Sequence, residues 1–226
     1  MNPIHKATQS KVVNRKIFCI GFNKTGTSSL HKTFLELGLK SIHNTEWTHL
    51  SRKKPLIQTD FKYQCYCDGS RSDFIALDKA FPGSLFIYNH REEKSWLKSR
   101  VKHVLRLNST PEPSQAIHHP TLGWMAKDFF TNPELSITKW IAEYRIYSTQ
   151  VNAYFRGRKD FLSIDITKEN DYGQVLIKFL NSNKFNYCHN ARAFTFLENT
   201  RDESRLIQEQ LTKYYFLIEK MVDLYS

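Results

Sequence analysis

The run Lys16–Gly21 (KIFCIG) is short and apolar and ends in glycine. It passes directly into a Thr/Ser cluster and then a helical pattern at Leu30, Phe34, Leu35 and Leu37 that Gly38 stops. Two of the 8 glycines of the chain, Gly21 and Gly26, fall in the intervening loop. A glycine-bounded loop between a buried run and a helix start demands a strand–tight loop–helix unit. The pattern recurs. Tyr63–Cys67 (YQCYC) ends at Asp68-Gly69 and precedes a helix over Phe74–Phe81; Ser84–Asn89 (SLFIYN) precedes a helix from Glu92; Phe161–Asp165 (FLSID) precedes one from about Asp171 to Leu180. Strands alternating with helices predict one α/β domain, with a central parallel sheet flanked by helices on both faces.

That domain is expected over residues 16–226, behind a loose basic arm at 1–15. Residues 134–156 and 202–225 read as long helices. The last carries Leu206, Leu211, Tyr214, Leu217, Ile218, Met221 and Tyr225 on one broad side, which suits core packing or a homodimer contact. Residues 108–133 hold four of the 7 prolines and are expected to form an irregular loop, a lid or substrate wall.

With 40% hydrophobic and 14% aromatic residues, the 226-residue chain has the material for a sizeable core. Its 33 Lys+Arg against 22 Asp+Glu give +11, which calls for an anionic partner. No apolar run approaches the roughly 18–20 residues that cross a bilayer, and the N-terminus lacks the apolar stretch of a signal peptide. Four cysteines are too few for a disulfide scaffold, so free buried thiols in a reducing cytoplasmic setting are expected.

Between the first strand and helix lies Gly21-Phe-Asn-Lys24-Thr-Gly26-Thr27-Ser28-Ser29. Backbone N–H groups of such a turn, with those of the helix start, cradle an anion. A nucleoside-triphosphate loop of P-loop type reads G-x-x-x-x-G-K-[ST]. Gly21, Gly26 and Ser28 keep that spacing, but Thr27 stands where the lysine belongs and the lysine is displaced to Lys24, over the mouth of the loop.

FCIGFNKTGTSSLHKTFLELGL resembles the 5'-phosphosulfate loop of the sulfotransferases that use 3'-phosphoadenosine 5'-phosphosulfate (PAPS), particularly bacterial-type members. The resemblance implies a P-loop-like fold and a nucleotide held by Asn23, Lys24, Thr25, Gly26, Thr27, Ser28 and Ser29. Lys24 would contact the leaving phosphate and the transferring sulfuryl group. The family's 3'-phosphate site pairs an arginine after a strand with a serine eight residues on, and Arg91 and Ser99 stand at that spacing; 91, 95 and 99 would share one helical face. The order of Asp68, LDKAFPGS (77–84), Tyr144-Arg145, AYFRGRKDFLSIDI (153–166) and Cys188-His-Asn-Ala-Arg192 is also similar.

Sulfuryl transfer needs a base for the acceptor's proton, at the carboxyl end of a parallel strand near Lys24. Asp68 is the first candidate, Glu46 the second and His43 the third. No metal is required by the reaction, and the 9 histidines show no ligand spacing. The acceptor, a small molecule or a glycan, has no readable code. A P-loop nucleotide or small-molecule kinase shares the expected fold, and a basic nucleic-acid-binding protein shares the charge. The misplaced lysine opposes the first, and the lack of a helix-turn-helix, RNP or zinc signature opposes the second. The charge also has an address: residues 1–35 carry six Lys/Arg and no acid, and residues 91–106 six against two, so the surplus sits with the two proposed phosphate sites.

Overall fold

The computed structural model describes residues 15–108, 123–188 and 205–225. Most of the N-terminal arm, residues 109–122 of the expected loop, and residues 189–192 of the Cys188–Arg192 stretch lie outside the described residues. Five strands form one parallel sheet: β1 (Ile17–Cys19), β2 (Ser41–His43), β3 (Cys65–Cys67), β4 (Leu85–Asn89) and β5 (Phe161–Ile164). Their order across the sheet is β2-β3-β1-β4-β5. Each strand is shorter than or equal to the predicted run, and β2 escaped prediction because Ser-Ile-His carries no periodic signal.

The helices are α1 (Thr27–Glu36), α2 (Glu46–Ser51), α3 (Phe74–Ala80), α4 (Glu93–Asn108), α5 (Gly123–Thr131), α6 (Pro133–Tyr154), α7 (Tyr172–Ser182) and α8 (Arg205–Leu224). Local chemistry starts several of them. Asp73 accepts from Ala76 N at 2.8 Å at the head of α3, and Asn132 accepts from Leu135 N at 3.0 Å with Pro133 next to it at the head of α6.

Alternation along the strands splits the interior in two. Phe18, Tyr66, Phe86 and Tyr88 face a large cluster shared with α3, α4, α6 and α8, while Ile17, Cys19, Cys65, Cys67, Leu85 and Ile87 face a smaller one shared with α1 and α7. Right-handed crossovers produce this division: β1 leads one way to β2, whereas β3 to β4 and β4 to β5 run the other way. Phe18 anchors the large cluster, with the rings of Trp47, Phe61, Tyr66, Phe81 and Phe86 at 5.4–6.1 Å. Its truncation to alanine costs about 3–5 kcal/mol.

Two expectations are corrected. Residues 123–131, assigned to an irregular loop, are helical in α5, because Phe129 is fully buried and stacks on Trp140 at 5.5 Å. Cys19, Cys65 and Cys67 are free and buried as expected, but Cys188 is exposed. In α8, Leu211, Ile218 and Met221 are buried against the domain, so this side packs into the core, while Tyr225 is half exposed. Among the described residues no helix is long and apolar enough to cross a membrane.

Candidate functional site

The strand order reverses between β1 and β4, and their carboxyl ends open a crevice there, the place where open α/β sheets bind ligands. The contact is close: a Cβ on Gly21 would lie 1.9 Å from Asn89 O. Gly21 N donates to Asn89 Oδ1 at 3.2 Å, and Asn89 Nδ2 donates to Thr25 Oγ1 at 2.7 Å. Gly26 follows at φ 86°, where a Cβ would lie 2.2 Å from Ile166 Cδ1, so both glycines of the loop are sterically required.

The loop's carbonyls are tied backwards into the protein. Tyr147 Oη donates to Ile20 O at 2.7 Å, the Thr25 hydroxyl to Phe22 O, Trp96 Nε1 to Asn23 O at 2.9 Å, and Arg91 Nη1 to Lys24 O at 3.5 Å. In a trans peptide the N–H points opposite to the preceding carbonyl, so these anchors turn the amides of Asn23, Lys24 and Thr25 the other way. At the helix start the first intrahelical bonds run from Ser29 N and Leu30 N to Gly26 O, ahead of which Thr27 and Ser28 bring their amides. The result is a nest of donors at the positive end of α1.

One cavity of about 1030 Å³ spans the crevice. Asn23, Lys24, Gly26, Thr27, Ser28, Ser29, His43, Glu46, Asp68, Arg91 and Ser99 all line it. Thr25 does not: its side chain is buried, with its hydroxyl spent on the loop itself. Three of the four described non-glycine residues with positive φ, Lys24 (67°), Asp68 (69°) and Arg71 (67°), sit on this wall. Such backbone strain concentrates at functional sites.

On the β4 side, Tyr144 clamps the backbone of Arg91, donating to its carbonyl at 2.6 Å and accepting from its amide at 3.2 Å. Arg91 precedes α4 rather than belonging to it, so the predicted common face begins only within the helix; Ser95 is not on the cavity wall, whereas Ser99 is. Arg91 Nε is buried and has no hydrogen-bond partner among the described residues. A phosphate oxygen would satisfy it, so the residues fit a nucleotide phosphate here. Lys102, His103 and Arg106 of α4 extend this wall, and burial together with the Arg106 and Arg91 cations lowers the Lys102 ammonium from its ordinary range. Sequence reading missed these three; their spacing of three, four and seven residues from Ser99 was the available signal.

On the β3 side, Trp47 Nε1 donates to Cys67 O at 3.0 Å, and Gly69 passes so near β1 that a Cβ would lie 2.3 Å from Cys19 O. This turn brings half-buried Asp68 to the cavity beside the loop. Glu46 opens α2, exposed, its Oε2 accepting from Asn44 Nδ2 at 3.4 Å. His43 Nε2 lies 2.9 Å from Thr27 Oγ1 and 3.3 Å from Ser28 Oγ. Arg71 pairs with Glu143 at 2.6 Å, and beneath them Arg100 is sandwiched by Trp96 and Trp140, burial pushing its guanidinium down to about 10. His49 and Arg52, also on the wall, carried no sequence signal. Among the described residues no group of three or more His, Cys, Asp or Glu is arranged to hold a metal ion.

Comparison with known proteins agrees with this fold. The family model of the sulfotransferase domain matches residues 16–184, which contain all five strands and every residue of the site named above. No curated protein matches the chain.

Proposed function

The chain belongs to the sulfotransferase family, and from that premise we propose that it moves a sulfuryl group from PAPS to a hydroxyl or amine of an acceptor, releasing adenosine 3',5'-bisphosphate. The observation that carries this reading is the single cavity in which the glycine-bounded loop meets Arg91 and Ser99. One anion site is built for the 5' end of the nucleotide and the other for its 3'-phosphate.

In this reading the loop amides and the hydroxyls of Thr27, Ser28 and Ser29 hold the 5'-phosphate, and Arg91 with Ser99 holds the 3'-phosphate. Lys24 reaches over the mouth and neutralises the charge that grows on the leaving phosphate. The acceptor oxygen or nitrogen forms its bond to sulfur in line as the sulfur–oxygen bond to the 5'-phosphate breaks. Asp68 takes the acceptor's proton. Its place on a fixed turn beside the loop supports it over Glu46, which is exposed, and over His43, whose Nε2 is engaged by two hydroxyls.

Transfer of radiolabelled sulfate from PAPS to panels of sugars, amines and phenols tests this reading. Label on an acceptor hydroxyl or amine is expected, and no labelled acceptor in any panel while PAPS binds would count against it.

A further inference from the structure

We propose that His43 is a positioning residue that turns the hydroxyls of Thr27 and Ser28 toward the bound 5'-phosphate, and that nucleotide binding draws a proton onto its ring. This rests on the PAPS reading above and adds to it a proton-linked step in donor binding.

The geometry is specific. One nitrogen, Nε2, faces both hydroxyl oxygens, at 2.9 Å from Thr27 and 3.3 Å from Ser28. A hydroxyl carries one proton and two lone pairs. When Nε2 is bare it can only accept, so both hydroxyl protons point to the imidazole and both oxygens present lone pairs to the mouth, which repel a phosphate. When Nε2 carries a proton it donates to the hydroxyl oxygens, and both hydroxyl protons swing out to the anion. The same two side chains thus switch from acceptors to donors with the state of one nitrogen.

The fold keeps this contact short. His43 ends β2, in register with Cys67 of β3, and α1 packs directly over both strands. Thr27 is buried there, 5% exposed, and has little room to turn away. Nδ1 of His43 makes no hydrogen bond to a described residue, so no neighbour pins the ring to one tautomer.

Charged and titratable groups from the surrounding elements share the cavity with the ring. From α1, His31 lies 5.8 Å away ring to ring, its own Nδ1 bonded to Ser41 Oγ at 2.8 Å; burial and then His43 lower its tendency to protonate. From the loop comes Lys24, from β3 and its turn Cys67 and Asp68, and from α2 Glu46 and His49. The neutral Nε2–H tautomer orients the hydroxyls as well as the cation does; the negative charge of an arriving phosphate dianion beside them is what favours the cation, with a proton on both nitrogens, and so draws a proton onto the ring.

The test is calorimetric titration of the full chain with adenosine 3',5'-bisphosphate between pH 5.5 and 8.5, for wild type, His43→Ala and His43→Gln. Glutamine sets an amide N–H near the position of Nε2 and cannot change charge. The phosphates themselves titrate near pH 6 and the other histidines remain, so the wild-type profile is divided by that of His43→Gln. That ratio of affinities should fall about tenfold from pH 5.5 to 8.5. His43→Ala should bind about tenfold more weakly than wild type at pH 6, and His43→Gln should recover most of that loss. Thr27→Val should show a similar loss, non-additive with His43→Ala. In buffers of different ionisation enthalpy, wild type should take up a fraction of a proton on binding and His43→Gln less. Parallel pH profiles for wild type and His43→Gln, or undiminished binding by His43→Ala, overturns the inference while leaving the donor assignment intact. Absence of binding by wild type at every pH overturns the donor assignment, and this inference with it.

Discussion

The indole Nε1 of Trp96 donates a 2.9 Å hydrogen bond to the carbonyl oxygen of Asn23, fastening α4 to the anion loop. Trp96 is fully buried and stacks on Tyr144 at 4.3 Å, and Tyr144 in turn holds the backbone of Arg91. The two proposed phosphate sites are therefore two ends of one braced unit. Trp96→Phe keeps an aromatic ring but leaves Asn23 O without its donor and opens a small void, which should cost about 2 kcal/mol of stability. It should also weaken adenosine 3',5'-bisphosphate binding several-fold by calorimetry. A stability loss with unchanged nucleotide affinity would show that the bond is not a strut between the sites.

Arg91→Ala should discriminate between nucleotides. Adenosine 3',5'-bisphosphate should bind about 30- to 100-fold more weakly, the worth of charge-assisted hydrogen bonds to a phosphate. Adenosine 5'-phosphosulfate, which lacks the 3'-phosphate, should lose less than threefold. Equal losses for both ligands would place Arg91 at the 5' end instead.

Asp68→Asn should lower the transfer rate about 100- to 1000-fold, within the range of a lost general base. Nucleotide affinity should stay within twofold, because the loop and the Arg91 site are untouched. Glu46→Gln should lower the rate less than tenfold. The reverse ranking in steady-state assays would move the base to Glu46.

Far from the cavity, Arg158 braces the sheet's edge. Its guanidinium reaches Asp78 at 2.5 and 2.8 Å and Asp160 at 2.7 Å, with Phe155 beneath it at 4.9 Å. These bonds hold the Asp78 carboxyl below the usual range. A group depressed on folding stabilises above its unfolded value, about 3.9 for aspartate, and that contribution fades as pH falls toward the folded value. Asp78→Asn should therefore lower Tm by roughly 4–8 °C at pH 7, about 2 kcal/mol for a pair only partly shielded from solvent. The gap between wild type and variant should close as pH drops below about 4. A gap independent of pH would assign the loss to packing rather than charge.

Much of this was legible in the residues, and the gaps have physical causes. The loop could be read because Gly21 answers to a backbone contact of 1.9 Å and Gly26 to a φ of 86° that favours glycine, leaving a fixed spacing in the chain. Arg91 and Ser99 stood out by spacing, yet Arg91 sits in a turn held by Tyr144, a contact 53 residues distant that no local pattern encodes. β2 is a three-residue edge strand defined by pairing to β3, so His43 read as a loop residue and its bond to Thr27 was invisible. α5 depends on Phe129 meeting Trp140 and Tyr214, again a tertiary event. The charge surplus fell on residues 91–106, where Arg91 ahead of α4 and Lys102 and Arg106 within it line one wall, but it could not say which of those cations face the cavity.

The central claim is that the crevice between β1 and β4 is made for a nucleotide with a phosphate at each end and without a γ-phosphate lysine. Calorimetry of wild type and Lys24→Ala against adenosine 3',5'-bisphosphate and against ATP, each with and without magnesium, tests it most directly. Wild type should bind adenosine 3',5'-bisphosphate with one site and equal affinity in both conditions, Lys24→Ala about tenfold more weakly, and ATP far less than either. Magnesium-dependent binding of ATP with no affinity for adenosine 3',5'-bisphosphate would contradict the account.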